Sequence, residues 1–240
     1  MNGLLPPDAS TLDVTALVWF FIVWITFNVA QDYLLRGRGI INQNLHVMRR
    51  AWMARMLERD NRMVDAVLVG HTMHSCTFFA STTILILAGL VGSFGVIDKA
   101  HDIVMSLTVA AKVSRPFFET KVLLLVGIFA YAFLKFTWAL RQFNYCLALI
   151  GSAPHPPFDR PEMLAMAENI ADTLSMAVRA FNGGMRSYYF ALAALWWFID
   201  PLFFMLAATG VVLVLGGRQG VSNAARHIKA QRALLEKRGE

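Results

Sequence analysis

Four long apolar segments, separated by arginine-rich stretches, constrain the fold of this chain more than any other feature of its sequence. They cover residues 12–30, 76–97, 122–140 and 188–215. Each is about as long as the roughly 20 residues that a helix needs to cross the hydrocarbon core of a bilayer. The sequence therefore predicts an integral membrane protein, folded as an all-α, polytopic transmembrane helical bundle with cytosolic amphipathic helical extensions.

The composition agrees with this class. Hydrophobic residues make up 57% of the chain and charged residues 16%, whereas soluble domains carry about 25% charged residues. The formal net charge is +6, but the basic residues flank the apolar segments, where membrane topology requires them. We therefore predict no binding to nucleic acid. Cys76 and Cys146 lie in apolar surroundings and are predicted to be small core residues rather than a disulfide.

The first membrane helix is predicted to begin near Ser10 and Thr11, with Asp13 in its first turn, because such residues cap helices. The leader of this apolar segment, residues 1–13, contains no Lys or Arg. The first apolar segment is therefore expected to remain as a helix rather than act as a cleaved signal peptide. Residues 31–63 contain an excess of arginine. This excess places them in the cytoplasm and the N-terminus outside.

Within this cytoplasmic stretch, Leu45, Met48, Trp52, Met56 and Met63 recur at helical spacing, and arginines occupy the other face. Such a helix can lie on the inner leaflet, where anionic lipid contributes roughly 1 kcal/mol per basic residue. It can equally pack on the cytosolic face of the protein itself. The sequence leaves both alternatives open.

The last apolar region is longer than one ordinary span, and Asp200-Pro201 interrupts it. Because Asp followed by Pro favours a helix start, we predict one helix from about Pro161 to Ile199 and another from Pro201. This gives five spans, at about 12–30, 75–97, 122–140, 186–199 and 201–216. A four-span bundle with Pro201 as a kink is the alternative. Residues 1–217 then form the bundle, and residues 218–240 form a basic cytoplasmic tail.

Three short stretches resemble one family of membrane proteins. They are residues 80–85 (ASTTIL), 141–144 (RQFN) and 186–192 (RSYYFAL), followed by Trp197 and Pro201. Together they resemble the family called domain of unknown function 599, over about residues 15–215. The resemblance implies a membrane helical fold, and it implies no activity because the family has none assigned.

Polar residues at membrane depth are the best candidates for function, because they are costly there unless buried or paired. Those near the cytosolic ends of the predicted spans are expected to meet in a polar layer at the inner interface. The predicted layer consists of Asn28, Gln31, Asp32, Arg141, Gln142 and Arg186.

A second group of polar residues, Lys135, His71 and His74, is a candidate for a transport pathway. Lys135 lies in the third span and either lines a polar path or extends to the headgroups as an anchor. His71 and His74 lie one helical turn apart, so metal ligation, a pH-sensitive cluster and a purely structural role are all open. We predict no metal site and no cofactor, since no complete ligand set is visible.

The sequence contains no phosphate loop, nucleophile elbow or HExxH pattern, so we predict no enzymatic activity. The leading hypothesis is a structural or accessory subunit of a membrane assembly. The alternative is an oligomeric channel or transporter for a small ion or metabolite, and the third is a haem- or metal-binding redox subunit using His71 or His74. The expected partners are the bilayer, including anionic lipids, and further copies of the chain or other membrane proteins. The expected location is a bacterial inner membrane, with the N-terminus outside and the C-terminus cytoplasmic.

Overall fold

The structure is a computed structural model that describes residues 6, 9–31, 41–106, 113–157, 159–220 and 222–237. All the regular secondary structure within these residues is helical, and it includes 3₁₀ turns at Phe94–Val96 and Trp196–Phe198. The α-helices are α1 (Thr11–Val29), α2 (Ile41–Leu57), α3 (Met63–Ser93), α4 (Ile97–Met105), α5 (Arg115–Ser152), α6 (Arg160–Leu195), α7 (Pro201–Gly220) and α8 (Asn223–Lys237).

Among the residues that the structure describes, four helical stretches are long and apolar enough to span a membrane, which confirms the predicted all-helical, membrane-spanning fold. They are Thr11–Val29, Met63–Met105, Arg115–Ser152 and Pro201–Lys237. They correspond to the predicted spans at 12–30, 75–97, 122–140 and 201–216.

The fifth predicted span, residues 186–199, lies in the C-terminal part of α6 and is not among these stretches. After Arg186, α6 continues only to Leu195, a rise of roughly 14 Å at 1.5 Å per residue. This is about half of the ~30 Å hydrocarbon core. A full crossing by this segment therefore stays a prediction.

The helix starts follow the local signals in the sequence. Ser10 caps α1: its Oγ accepts a hydrogen bond from the Asp13 N–H at 3.1 Å, and the Asp13 carboxylate accepts one from the Ser10 N–H at 3.1 Å. The predicted break at Asp200-Pro201 is also confirmed. There Asp200 Oδ1 accepts a hydrogen bond from the Leu202 N–H at 2.7 Å, and α7 begins at Pro201.

By its internal contacts the chain divides into two compact units. The first comprises Met1–Ala30, Ser81–Leu134 and Gly183–Leu215. Its core is aromatic: the buried ring of Phe20 lies 5.8 Å from Phe190 and 4.9 Å from Phe204, measured between ring centroids. The surface of this unit carries large apolar side chains such as Leu85 and Leu213, each more than 70% exposed. An apolar exterior around a packed interior suits contact with lipid.

The second unit comprises Gln31–Ala80, Lys135–Asn182 and Gly216–Glu240. It holds 17 of the chain's 22 Lys and Arg residues. In this unit α2 packs against α8, where the Arg232 guanidinium donates to the Asn44 side-chain oxygen at 3.0 Å. Cys76 and Cys146 are buried here as free thiols.

The packing of α2 supports one of the two alternatives left open by its sequence. Met53, Met56 and Leu57 are fully buried within the second unit, so the apolar face of α2 contacts protein. Met63 does not continue this face, because α2 ends at Leu57 and Met63 begins α3, where it is 69% exposed. The expectation of a single helical series through Met63 was wrong for this reason.

Candidate functional site

The structure joins two residues of the predicted inner polar layer, both in the first unit. The Arg186 Nε–H donates a hydrogen bond to Asn28 Oδ1 at 2.8 Å, and Arg186 is only 5% exposed. Asn28 in turn donates from its side-chain nitrogen to the carbonyl of Trp24, one turn earlier in α1, at 2.9 Å. On α6, Gly183 and Gly184 are buried just before Arg186. The contact therefore ties the end of α1 to α6 through a buried guanidinium.

The other predicted members of this layer belong to the second unit. Gln142 is buried, whereas Arg141 is exposed and donates from Nε to the Tyr145 hydroxyl, one turn further along α5, at 3.0 Å. The side-chain oxygen of Gln31 is buried without a hydrogen-bond partner. Asp32 lies outside the described residues. A single layer of all six residues stays a prediction.

The candidate pathway residues also lie in the second unit. Lys135 is half-buried on α5, and His71 and His74 are exposed on α3. Across the described parts of the chain, no three His, Cys, Asp or Glu side chains are grouped to hold a metal ion. The two histidines therefore present their rings outward from the unit, one turn apart.

A buried polar cluster in the first unit was not predicted from the sequence. Trp197 Nε1–H donates to Asp13 Oδ1 at 2.8 Å, and the Lys121 ammonium donates to the Trp197 carbonyl at 2.7 Å. All three residues are at most 7% exposed. We call them the Trp197 cluster. It connects the start of α1, the first turns of α5 and the 3₁₀ turn that follows α6.

Aromatic rings surround the charge of this cluster. Lys121 Nζ lies 4.6 Å from the ring centroid of Phe117, 5.4 Å from that of Trp197 and 5.9 Å from that of Phe198. The negative faces of such rings stabilise a desolvated cation. The sequence places Asp13 in the first turn of the first helix and indicates no role for Lys121, which directly precedes the third predicted span. The available signal was that 13, 121 and 197 all lie near the predicted outer ends of spans.

A second buried carboxylate lies at the junction of α2 and α3 in the second unit. Asp65 is fully buried, and its Oδ1 accepts hydrogen bonds from Trp52 Nε1 at 2.7 Å and from Arg59 Nη1 at 2.6 Å. Next to it, Arg62 donates to the carbonyls of Ala153 and Pro154 in the α5–α6 linker, each at 2.5 Å. Arg59 thus stabilises the corner between α2 and α3, and Arg62 bonds this corner to the linker between α5 and α6.

The different surroundings of Arg186 and Arg141 lead to a testable prediction. Arg186→Ala is expected to lower the free energy of unfolding by about 1–3 kcal/mol, because it removes a buried guanidinium and leaves the half-buried Asn28 oxygen without this donor. Arg141→Ala removes a guanidinium of equal charge from an exposed site, where a change of at most about 0.5 kcal/mol is expected. Thermal unfolding in detergent measures both. Equal destabilisation by the two substitutions would contradict the buried assignment of Arg186.

Comparison with known proteins gives one match. A family model described as "Protein of unknown function, DUF599" matches residues 15–224. No curated protein and no solved structure matches the chain.

Proposed function

This chain belongs to the DUF599 family, whose description assigns no activity, and we propose that it serves as a structural or accessory subunit of a membrane assembly. Its helices are those of a multi-pass membrane protein. We propose further that it is not an enzyme, and that its partners are other copies of the chain or other membrane proteins, together with anionic lipid.

One observation carries this proposal: buried and half-buried polar groups of the first unit bond to one another across helices. Asp13, Trp197 and Lys121 form one such set, and Asn28 with Arg186 forms another. Interhelical hydrogen bonds of this kind hold membrane helices together. A conducting pathway instead needs polar groups directed toward an aqueous cavity. The open groove along α1 is lined by Leu17, Val18, Phe21, Ile22, Ile25 and Thr26, and it is almost wholly apolar.

The charge distribution supports a proposed orientation. Because the second unit holds most of the Lys and Arg residues, the positive-inside tendency favours the cytoplasmic side for its basic segments. We propose a bacterial inner membrane location with the N-terminus outside and the C-terminus cytoplasmic. Reporter proteins fused at either end of the chain check this orientation, and an external reading after Glu240 contradicts it.

The accessory role predicts the behaviour of the purified protein. The full chain, extracted in mild detergent, is expected to migrate as a complex of fixed stoichiometry that is heavier than one 26.8 kDa chain. Light scattering and mass spectrometry of that complex measure its mass and composition. When the same protein is reconstituted in liposomes, trapped small anions and cations are expected to leave no faster than they leave protein-free liposomes.

Two outcomes would contradict the proposal. If the protein is a monodisperse monomer in several mild detergents, the proposed assembly is contradicted. Ion flux that Arg186→Ala abolishes, while Arg141→Ala leaves it intact, would favour the channel or transporter instead. The comparison of these two arginines separates a conducting role of the buried residue from a general effect of charge loss.

A further inference from the structure

The contact between α2 and α6 in the second unit includes a ladder of basic and acidic side chains. Arg50 faces Glu168 at 3.9 Å, and His46 Nε2 lies 3.5 Å from the Asp172 carboxylate. The next residue of α6 on this face is Ser175, and Arg179 follows one turn later. Along α6, the last carboxylate of the ladder is therefore Asp172, and the next charged residue on this face is the basic Arg179.

Arg49 lies where the carboxylates end. Its Nη1 donates to the Ser175 hydroxyl at 3.1 Å, and His46 Nδ1 lies 3.2 Å from the same oxygen. Ser175 is only 8% exposed. Within the described part of the chain, no carboxylate comes within 4.0 Å of Arg49 or Arg179. A neutral hydroxyl accepts a hydrogen bond from Arg49 but does not neutralise its charge.

The two guanidiniums also act on each other. Burial, and secondly the positive charge of Arg179, lower the pKa of Arg49 from its ordinary value. Arginine nevertheless stays protonated in proteins. Arg49 is bonded to Ser175, and Arg179 lies one turn beyond Ser175 on α6. Two like charges thus share one stretch of the contact between α2 and α6, which is unfavourable unless an anion joins them.

We propose that Arg49 and Arg179, together with His46 and Ser175, form a binding site for a phosphate group. The planar fork of arginine matches the oxygens of phosphate and makes two parallel hydrogen bonds to it. Arginines from two helices then approach one anion from two sides, and the Ser175 hydroxyl, next to His46 Nδ1, supplies a further donor. The site is independent of whether the protein is an accessory subunit or a channel.

The phosphate can come from two sources with the same chemistry: the headgroup of an anionic phospholipid, or a soluble phosphate or phosphate ester. The test uses the full chain after thorough detergent exchange, with residual phosphorus measured. One arm titrates inorganic phosphate at constant ionic strength against chloride. The other arm compares nanodiscs of phosphatidylcholine with nanodiscs that also contain phosphatidylglycerol. The readout in both arms is the apparent melting temperature, since a ligand of the folded state raises it.

The matched variants are Arg179→Gln in the site and Arg160→Gln at the exposed start of α6. Both lose one positive charge from the same helix. We expect phosphate or phosphatidylglycerol to raise the melting temperature of the wild type and of Arg160→Gln. Arg179→Gln is expected to weaken the binding by about tenfold or more, because a charged hydrogen bond is lost. Arg49→Lys, which keeps the charge but loses the fork, is expected to bind weakly as well.

A second readout separates binding from a structural role of Arg179. Without phosphate or anionic lipid, Arg179→Gln is expected to melt at or above the wild-type temperature, because the substitution removes like-charge repulsion. Stabilisation by inorganic phosphate alone identifies a soluble ligand, and stabilisation by phosphatidylglycerol alone identifies a lipid headgroup. The proposal is overturned if neither probe stabilises the protein. It is also overturned if Arg179→Gln and Arg160→Gln respond alike, or if Arg179→Gln is destabilised before any ligand is added.

Discussion

Replacing Trp197 with alanine is expected to lower the free energy of unfolding by about 3–5 kcal/mol, the usual range for removing a buried large aromatic side chain. The indole is fully buried, stacks on Phe204 at 5.3 Å and meets Phe117 edge-on at 5.7 Å. The substitution also leaves the buried Asp13 carboxylate without the Nε1–H donor. For a chain of this size such a change lowers the melting temperature by roughly 10 °C, which thermal unfolding in detergent measures.

The neighbouring Trp196 provides the matched control, because it is 48% exposed and makes an edge contact with Phe203. Trp196→Ala is expected to change stability by no more than about 1 kcal/mol. Trp197→Phe keeps one aromatic ring but removes the donor to Asp13 and the second ring of the indole, and it is expected to cost about 1–3 kcal/mol. If Trp196→Ala and Trp197→Ala destabilise equally, the buried position of Trp197 is refuted.

Arg59→Ala is expected to destabilise the second unit by about 3 kcal/mol, because it leaves the fully buried Asp65 carboxylate without its cation. Asp65 Oδ2 already lacks a hydrogen-bond partner, so after the substitution only Trp52 bonds to this carboxylate. The double variant Arg59→Ala with Asp65→Asn removes the uncompensated charge. It is expected to recover part of the loss, as measured by thermal unfolding.

Arg50 is the control for this experiment. The side chains of Arg50 and Arg59 are 44% and 46% exposed, but the partner of Arg50 is the half-exposed Glu168, at 3.9 Å. Exposed ion pairs contribute about 0–1 kcal/mol, so Arg50→Ala is expected to be nearly neutral. A loss as large as that of Arg59→Ala would show that the burial of the acidic partner does not decide the effect.

Local signals in the sequence were sufficient for much of the fold. The start of α1 follows from the reciprocal bonds of Ser10 and Asp13, and the break before α7 follows from Asp200-Pro201. Both depend on neighbours within three residues. The packing of α2 against α8 connects residues 188 positions apart in the chain, as in Asn44 and Arg232. One helix examined alone contains no such information, so its sequence left the location of its apolar face open.

In the candidate site, too, the sequence did not predict which residues of a helix are buried. Position along the chain predicted the depth of Arg141 and Gln142, but successive residues on a helix point about 100° apart. Gln142 is buried and Arg141 is exposed, which depth alone does not distinguish. Asn28 and Arg186 were predicted as members of one layer, and their hydrogen bond joins α1 to α6. Asp13 and Trp197 lie 184 residues apart, and neither has a local pattern that indicates the other.

The bonds from Arg62 to the α5–α6 linker also have a consequence for the order of assembly during synthesis. Arg62 leaves the ribosome 91 residues before Ala153 and 92 residues before Pro154, its two acceptors. At about 5–20 residues per second, this interval lasts roughly 5–18 s. The corner between α2 and α3 therefore exists for that time without the linker that later holds it, and it becomes fixed only when α5 is complete.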